Sequence, residues 1–129
     1  MPTRELPKPT AAELAILRVL WDRGPCTVRE VTASLLGERG TGYTTALKFL
    51  QIMTEKGLVR RDESARTHIY EAAIRAEQTQ RLFVRELIDK VFAGSAPQLV
   101  LQALSAKKAS RAELAEIRKL LDDLERNAK

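Results

Sequence analysis

The chain has 129 residues, 44% of them hydrophobic and 30% charged, with a formal net charge of +5. That length suits one domain, or one small domain with an appendage, and the apolar fraction supports a core and argues against wholesale disorder. No apolar run reaches the roughly 18 residues of a spanning helix and no signal peptide is visible, so the expectation is a cytoplasmic chain, with a basic balance that favours a polyanionic partner.

In chain order, residues 1–9 hold three prolines among polar residues and read as a flexible lead-in. Its basic Arg4 and Lys8 either brush DNA phosphates or belong to a tail without a role. Thr10 and Glu13 have the spacing of a capping box, in which hydroxyl and carboxylate satisfy two free amides at a helix start. The helix is expected to run to about Asp22, with Leu14, Leu17, Leu20 and Trp21 at core-compatible spacing, and Gly24-Pro25 ends it. Cys26 has no second cysteine to pair with and reads as a small buried residue. Thr27 and Glu30 make a second capping box, followed by Val28, Val31 and Leu35 at helical spacing, with a stop near Gly37.

The tract from Glu38 to Gly42 reads as a turn. Gly40 and Gly42 break what precedes, and Thr41 or Thr44 can cap a third helix that continues to Lys56. Gly57 stands where a left-handed residue would close it. At 3.6 residues per turn Ala46, Leu50 and Met53 share one face, flanked by Leu47 and Phe49. Thr44, Thr45, Lys48, Gln51 and Glu55 fall on the other. Short hydroxyls, an amide and a cation can reach phosphates or base edges in a major groove. Strands are expected over 58–61 and 68–72, around a polar turn at 62–67. His68 is the only histidine, and without Cys or His partners it reads as structural rather than as a ligand. One His and one Cys assemble no nucleophile–base set, so neither catalysis nor a metal or cofactor is expected.

Three helices of roughly 12, 10 and 14 residues followed by a hairpin give the order of a winged helix-turn-helix, whose third helix enters the groove. Only Pro25-Cys26-Thr27 could supply the short strand that pairs with such a wing. Arg60, Arg61 and Arg66 are then placed for flanking phosphates. The competing reading is a solvated helix face beside a structural hairpin.

Beyond Glu71 the pattern becomes helical. Val84, Leu87, Ile88 and Val91 recur at i, i+3, i+4 and i+7 in a run from Glu77 to Phe92 that Gly94-Ser95 breaks. Pro97 suits the first turn of a short helix to about Leu104. Ser110 and Glu113 form a third capping box, opening a helix with Leu114, Ile117, Leu121 and Leu124 in a stripe. These helices carry more apolar surface than they can bury among themselves, which points to a homodimer; a tail folded onto its own N-terminal domain is the alternative.

Thr10 with Glu13, Val19-Leu20-Trp21, Thr27-Val28-Arg29-Glu30-Val31, Tyr43-Thr44-Thr45, Lys56 to Arg61, and Gly94-Ser95 before Leu99-Val100 together resemble the BlaI/MecI/CopY family of bacterial repressors (penicillinase repressors), over about residues 8–124. The resemblance implies a mainly α fold with a small β wing: a winged helix-turn-helix domain (10–75) plus a C-terminal helical dimerisation domain (76–129). It implies a homodimeric repressor of a near-palindromic operator, with Thr44, Thr45 and Lys48 facing the major groove and Arg60, Arg61 and Arg66 serving wing and backbone. In antibiotic-responsive members a membrane metalloprotease sensor triggers cleavage between Asn and Phe in the dimerisation domain, and the counterpart here is Gln102-Ala103. Copper-responsive members bind metal through C-terminal cysteine pairs, and this chain has none. Ile52 stands where antibiotic-responsive members commonly carry Arg, Lys48 where they tend to carry Thr, and Ser64-Ala65 replaces the usual wing glycine. A winged-helix protein-interaction module without DNA binding is the rival function.

Overall fold

Local capping chemistry sets most helix starts. Thr10 Oγ1 accepts from the Glu13 amide at 3.2 Å and Glu13 Oε1 from the Thr10 amide at 2.9 Å, opening α1 (Ala11–Arg23). The same reciprocal pair joins Thr27 and Glu30 after β1 (Cys26–Thr27), at the start of α2 (Val28–Arg39). The computed structural model describes residues 7–39 and 42–128, and the side chains among these except at 36–39. There follow α3 (Tyr43–Lys56), β2 (Val59–Asp62), β3 (Ile69–Ala72), α4 (Ala76–Lys90), α5 (Ala96–Ala106) and α6 (Arg111–Asn127). Among the described residues no helix is long and apolar enough to cross a membrane.

Several boundaries differ from the sequence expectation for identifiable reasons. α2 runs through Gly37 to Arg39, because one glycine weakens a helix by only about 1 kcal/mol and does not end it. α3 starts from Gly42 with no side-chain cap; Thr44 lies inside the helix, and Gly40 and Thr41 lie outside the described residues, as does Arg4. At the other end Gly57 takes the left-handed conformation (φ 84°), and the Leu58 amide reaches back to Met53 O at 2.9 Å. That bond draws Leu58 into the helix cap, so β2 begins one residue later than expected. His68 falls just outside β3, since pairing begins with Asp62 opposite Ile69.

The sheet has the order β1-β3-β2, all antiparallel, with Cys26 opposite Tyr70 and Arg60 opposite Glu71. The three-residue segment around Cys26 does supply the third strand. Ile16, Leu17 and Leu20 of α1, Val31 and Leu35 of α2, and Ala46, Leu50 and Met53 of α3 close over Leu58, Val59 and Tyr70. Each fully buried Leu or Ile contributes about 2 kcal/mol. On α1 the inward stripe is 13-16-17-20, so Ile16 takes the core position expected for Leu14, which is half-buried.

The chain divides into two compact units, residues 1–84 and 85–129. In the first, Pro9 is buried, Lys8 lies 5.6 Å from the Phe83 ring centre, and the Trp21 indole donates to Ile74 O at 2.9 Å. In the second, α4 ends at Lys90, two residues before Phe92, because Ala93 (φ 50°) and Gly94 (φ 86°) both turn left-handed. Ser95 then caps α5 by accepting from the Gln98 amide. The Ser110–Glu113 capping box opens α6.

Candidate nucleic-acid interface

Helix α3 separates its two sides as its 3.6-residue spacing dictates. Ala46, Leu50 and Met53 are buried, while Thr44, Thr45, Lys48, Gln51 and Glu55 are exposed. Ile52 is intermediate, at the margin between the faces. Lys48 has no ion pair among the described residues, so its charge is available to a ligand.

What holds α3 in position was not visible in the sequence. Lys56, in its last turn, donates from Nζ to both carboxylate oxygens of Glu13 at 2.9 and 3.0 Å, and Glu13 is only 2% exposed. Burial on its own pushes the Glu13 carboxyl up, but hydrogen bonds from Thr10 and the Lys56 ammonium outweigh it and hold the group below the usual carboxylate range. The capping box of α1 and the C-terminus of α3 therefore share one carboxylate. A capping glutamate followed, much later, by a lysine before the helix-ending glycine gives no sequence signal of this pairing.

The wing arginines differ among themselves. Arg60 Nε bonds Glu71 at 3.1 Å, its direct cross-strand neighbour. Arg61 Nε pairs with Glu63 Oε1 at 2.8 Å. Arg66 sits in the turn with no carboxylate partner among the described residues. At the start of that turn the Asp62 side chain accepts from the Ser64 amide at 2.9 Å, which shapes the turn without a glycine; the Ser64 side chain and then its amide hold the Asp62 carboxyl below its usual range.

Beside α3 lies an open groove of about 510 Å³, lined by residues that start α2, α3 and β3, including Arg29, Tyr43, Arg66, Thr67 and His68. Of these, the sequence reading assigns a DNA contact only to Arg66, and it reads His68 as structural. Cys26, by contrast, is buried and donates its thiol to Gly24 O; burial and the nearby Glu30 push that thiol up, which leaves it a packing residue.

In the 85–129 unit the residues of the expected dimer stripe face outward. Leu87, Val91, Leu114, Leu121 and Leu124 are exposed, joined by Leu120, and Ile88 and Ile117 are half-exposed. Val84, at the end of the first unit, is exposed as well. Gln102 and Ala103 are exposed in the middle of α5.

A family model described as the penicillinase repressor matches residues 9–123. The chain belongs to the penicillinase repressor family. A penicillinase repressor of Staphylococcus aureus is 18% identical over 113 residues, covering 88% of this chain and 90% of that one. Among solved structures, the monomeric form of BlaI from Bacillus licheniformis in complex with the blaP half-operator matches with a TM-score of 0.50 and 22% identity, over 57% of this chain and 89% of that chain. The DNA-binding domain of the repressor BlaI matches equally, over 57% and 90%. These likenesses establish the winged-helix fold. Penicillinase repressor family members are transcriptional regulators rather than enzymes, and this chain is a winged-helix, DNA-binding regulator of that family.

Proposed function

We propose that two copies of the chain, joined through the helices of residues 76–129, repress transcription by binding a near-palindromic operator. The observation that carries the reading is the exposed polar face of α3, set on a helix whose opposite face is fully buried. Thr44, Thr45, Lys48 and Gln51 offer two hydroxyls, a cation and a bidentate amide, the set that reads base edges and adjoining phosphates. Arg60, Arg61 and Arg66 add backbone contacts from the wing. A two-fold axis would present two such faces to half-sites about 34 Å apart, one helical turn, or a multiple of it.

The unpartnered leucines and valines of α4 and α6 support the pairing, since a regulator that left them in water would carry a large apolar patch for no return. Footprinting on promoter fragments tests the whole reading. The expected outcome is a protected site with internal two-fold symmetry, bound with a salt dependence that reports phosphate contacts. A chain that stays a single 14.5 kDa species at micromolar concentration and protects no site would end it.

Release from DNA would follow cleavage near Gln102-Ala103, with a membrane metalloprotease sensor upstream. The bond lies within the helical turns of α5, so a protease has to unwind it locally before cutting. Mass spectrometry of the chain recovered from induced cells is expected to give two fragments meeting at that bond; an intact chain during full induction would exclude this route.

A further inference from the structure

We propose that the groove between the starts of α2, α3 and β3 is a seat for the DNA backbone, in which Arg29 and Arg66 grip a phosphate and Tyr43 and His68 donate hydrogen bonds to it. The inference rests on the DNA-binding reading and adds to it a contact made by residues outside the exposed face of α3.

The cations of the described surface differ in whether a carboxylate balances them. Arg60 and Arg61, the wing residues that the sequence nominates first, are each matched by a carboxylate on the same protein surface, Glu71 at 3.1 Å and Glu63 at 2.8 Å. A phosphate approaching either one meets the partner's negative charge and must displace it. Arg29 and Arg66 have no carboxylate partner among the described residues, and both line one groove. Two uncompensated guanidiniums facing a shared concavity raise the local anion concentration more than scattered pairs of both signs can. Their planar forks suit bidentate contact with phosphate oxygens.

The remaining lining fits the same ligand. Tyr43 is exposed at the first position of α3 and His68 is exposed just before β3, and each carries a donor. Leu47 and Val28 close the apolar side of the groove, where a deoxyribose can rest. At about 510 Å³ the groove takes a phosphate with its neighbouring sugar, and it is open enough for a continuous strand to pass. Tyr43 lines it directly ahead of Thr44 and Thr45, so a strand seated there would fix the depth at which those hydroxyls meet the bases.

Phosphate contacts are independent of sequence, so the test needs no operator: the full chain is titrated against a fluorescently labelled random-sequence duplex at salt from about 50 to 200 mM. Arg29→Ala and Arg66→Ala are each expected to flatten the slope of log K on log salt by about one, and Arg29→Lys to retain it. Tyr43→Phe is expected to weaken binding severalfold at every salt with the slope unchanged, because a neutral donor releases no counterion. Arg60→Ala should flatten the slope less than Arg29→Ala does. Wild-type slopes in both alanine variants, with wild-type binding intact, overturn the proposed seat and leave the DNA reading standing. A wild-type chain whose binding does not vary with salt overturns both. Arg66 lies in a turn, so its replacement keeps the test sound should Arg29→Ala disturb the start of α2.

Discussion

At the level of single residues, the buried carboxylate of Glu13 ties two distant parts of the first unit together. Replacing Lys56 by Met leaves that carboxylate without its cation, and hydrogen bonds to charged groups of this kind stabilise by about 2 kcal/mol. Urea denaturation of Lys56→Met should show a loss of that size. The acid limb of stability follows from the lowered pKa. A group held below its unfolded value contributes stability above the ordinary carboxylate range, and that contribution is lost as pH falls through the folded value. Glu13→Gln should therefore flatten the decline of stability on acidification while lowering stability at neutral pH. The pair Arg60–Glu71 makes a contrasting prediction. Glu71→Gln keeps the shape of the strand but removes the competing charge, so DNA affinity should rise and the salt slope steepen in a titration; an unchanged slope would mean that Arg60 never reaches the backbone.

At the level of elements, how much was legible depended on the range of the interaction. The capping boxes at Thr10, Thr27 and Ser110 were readable because both partners lie three residues apart, and all three form. The faces of α3 were readable because period alone sets them. The Glu13–Lys56 contact spans 43 residues, and no local pattern encodes it. Arg60 opposite Glu71 requires the strand register, which a turn without glycine does not announce. The start of α4 at Ala76 lies one residue before the expected run from Glu77, and there Gln78 accepts from the Arg75 amide, a capping interaction without the usual Ser or Thr. Arg29 and His68 come to line one groove with Arg66 only after the third strand has been laid beside the hairpin. The link between α4 and α5 yields an element-level prediction. Gly94 is left-handed with open space where a side chain would go, so Gly94→Ala should cost about 1 kcal/mol in backbone strain alone. Ala93, left-handed without being glycine, should respond oppositely: Ala93→Gly relieves strain and should leave stability equal or slightly raised, when thermal melts of the two variants are compared with the parent chain.

At the level of the whole molecule, the two units carry different kinds of surface. The first is closed over a continuous apolar core, and the second exposes its leucines. Leu121→Asp is expected to abolish self-association in sedimentation and, with it, tight operator binding, while the first unit keeps its fold. Operator affinity unchanged in that variant would separate pairing from repression.

The lone tryptophan makes this separable by light. Trp21 belongs to the first unit and is anchored through its indole to the carbonyl of Ile74, so its emission reports the folding of that unit, whereas helical ellipticity records both units. Heating the protein at several dilutions should leave the optical midpoint from emission in place and shift the ellipticity curve toward higher temperature as the chain is concentrated, because only an associating segment obeys mass action. With the proposed pairing, the molecule would carry its own internal reference thermometer, needing neither dye nor label.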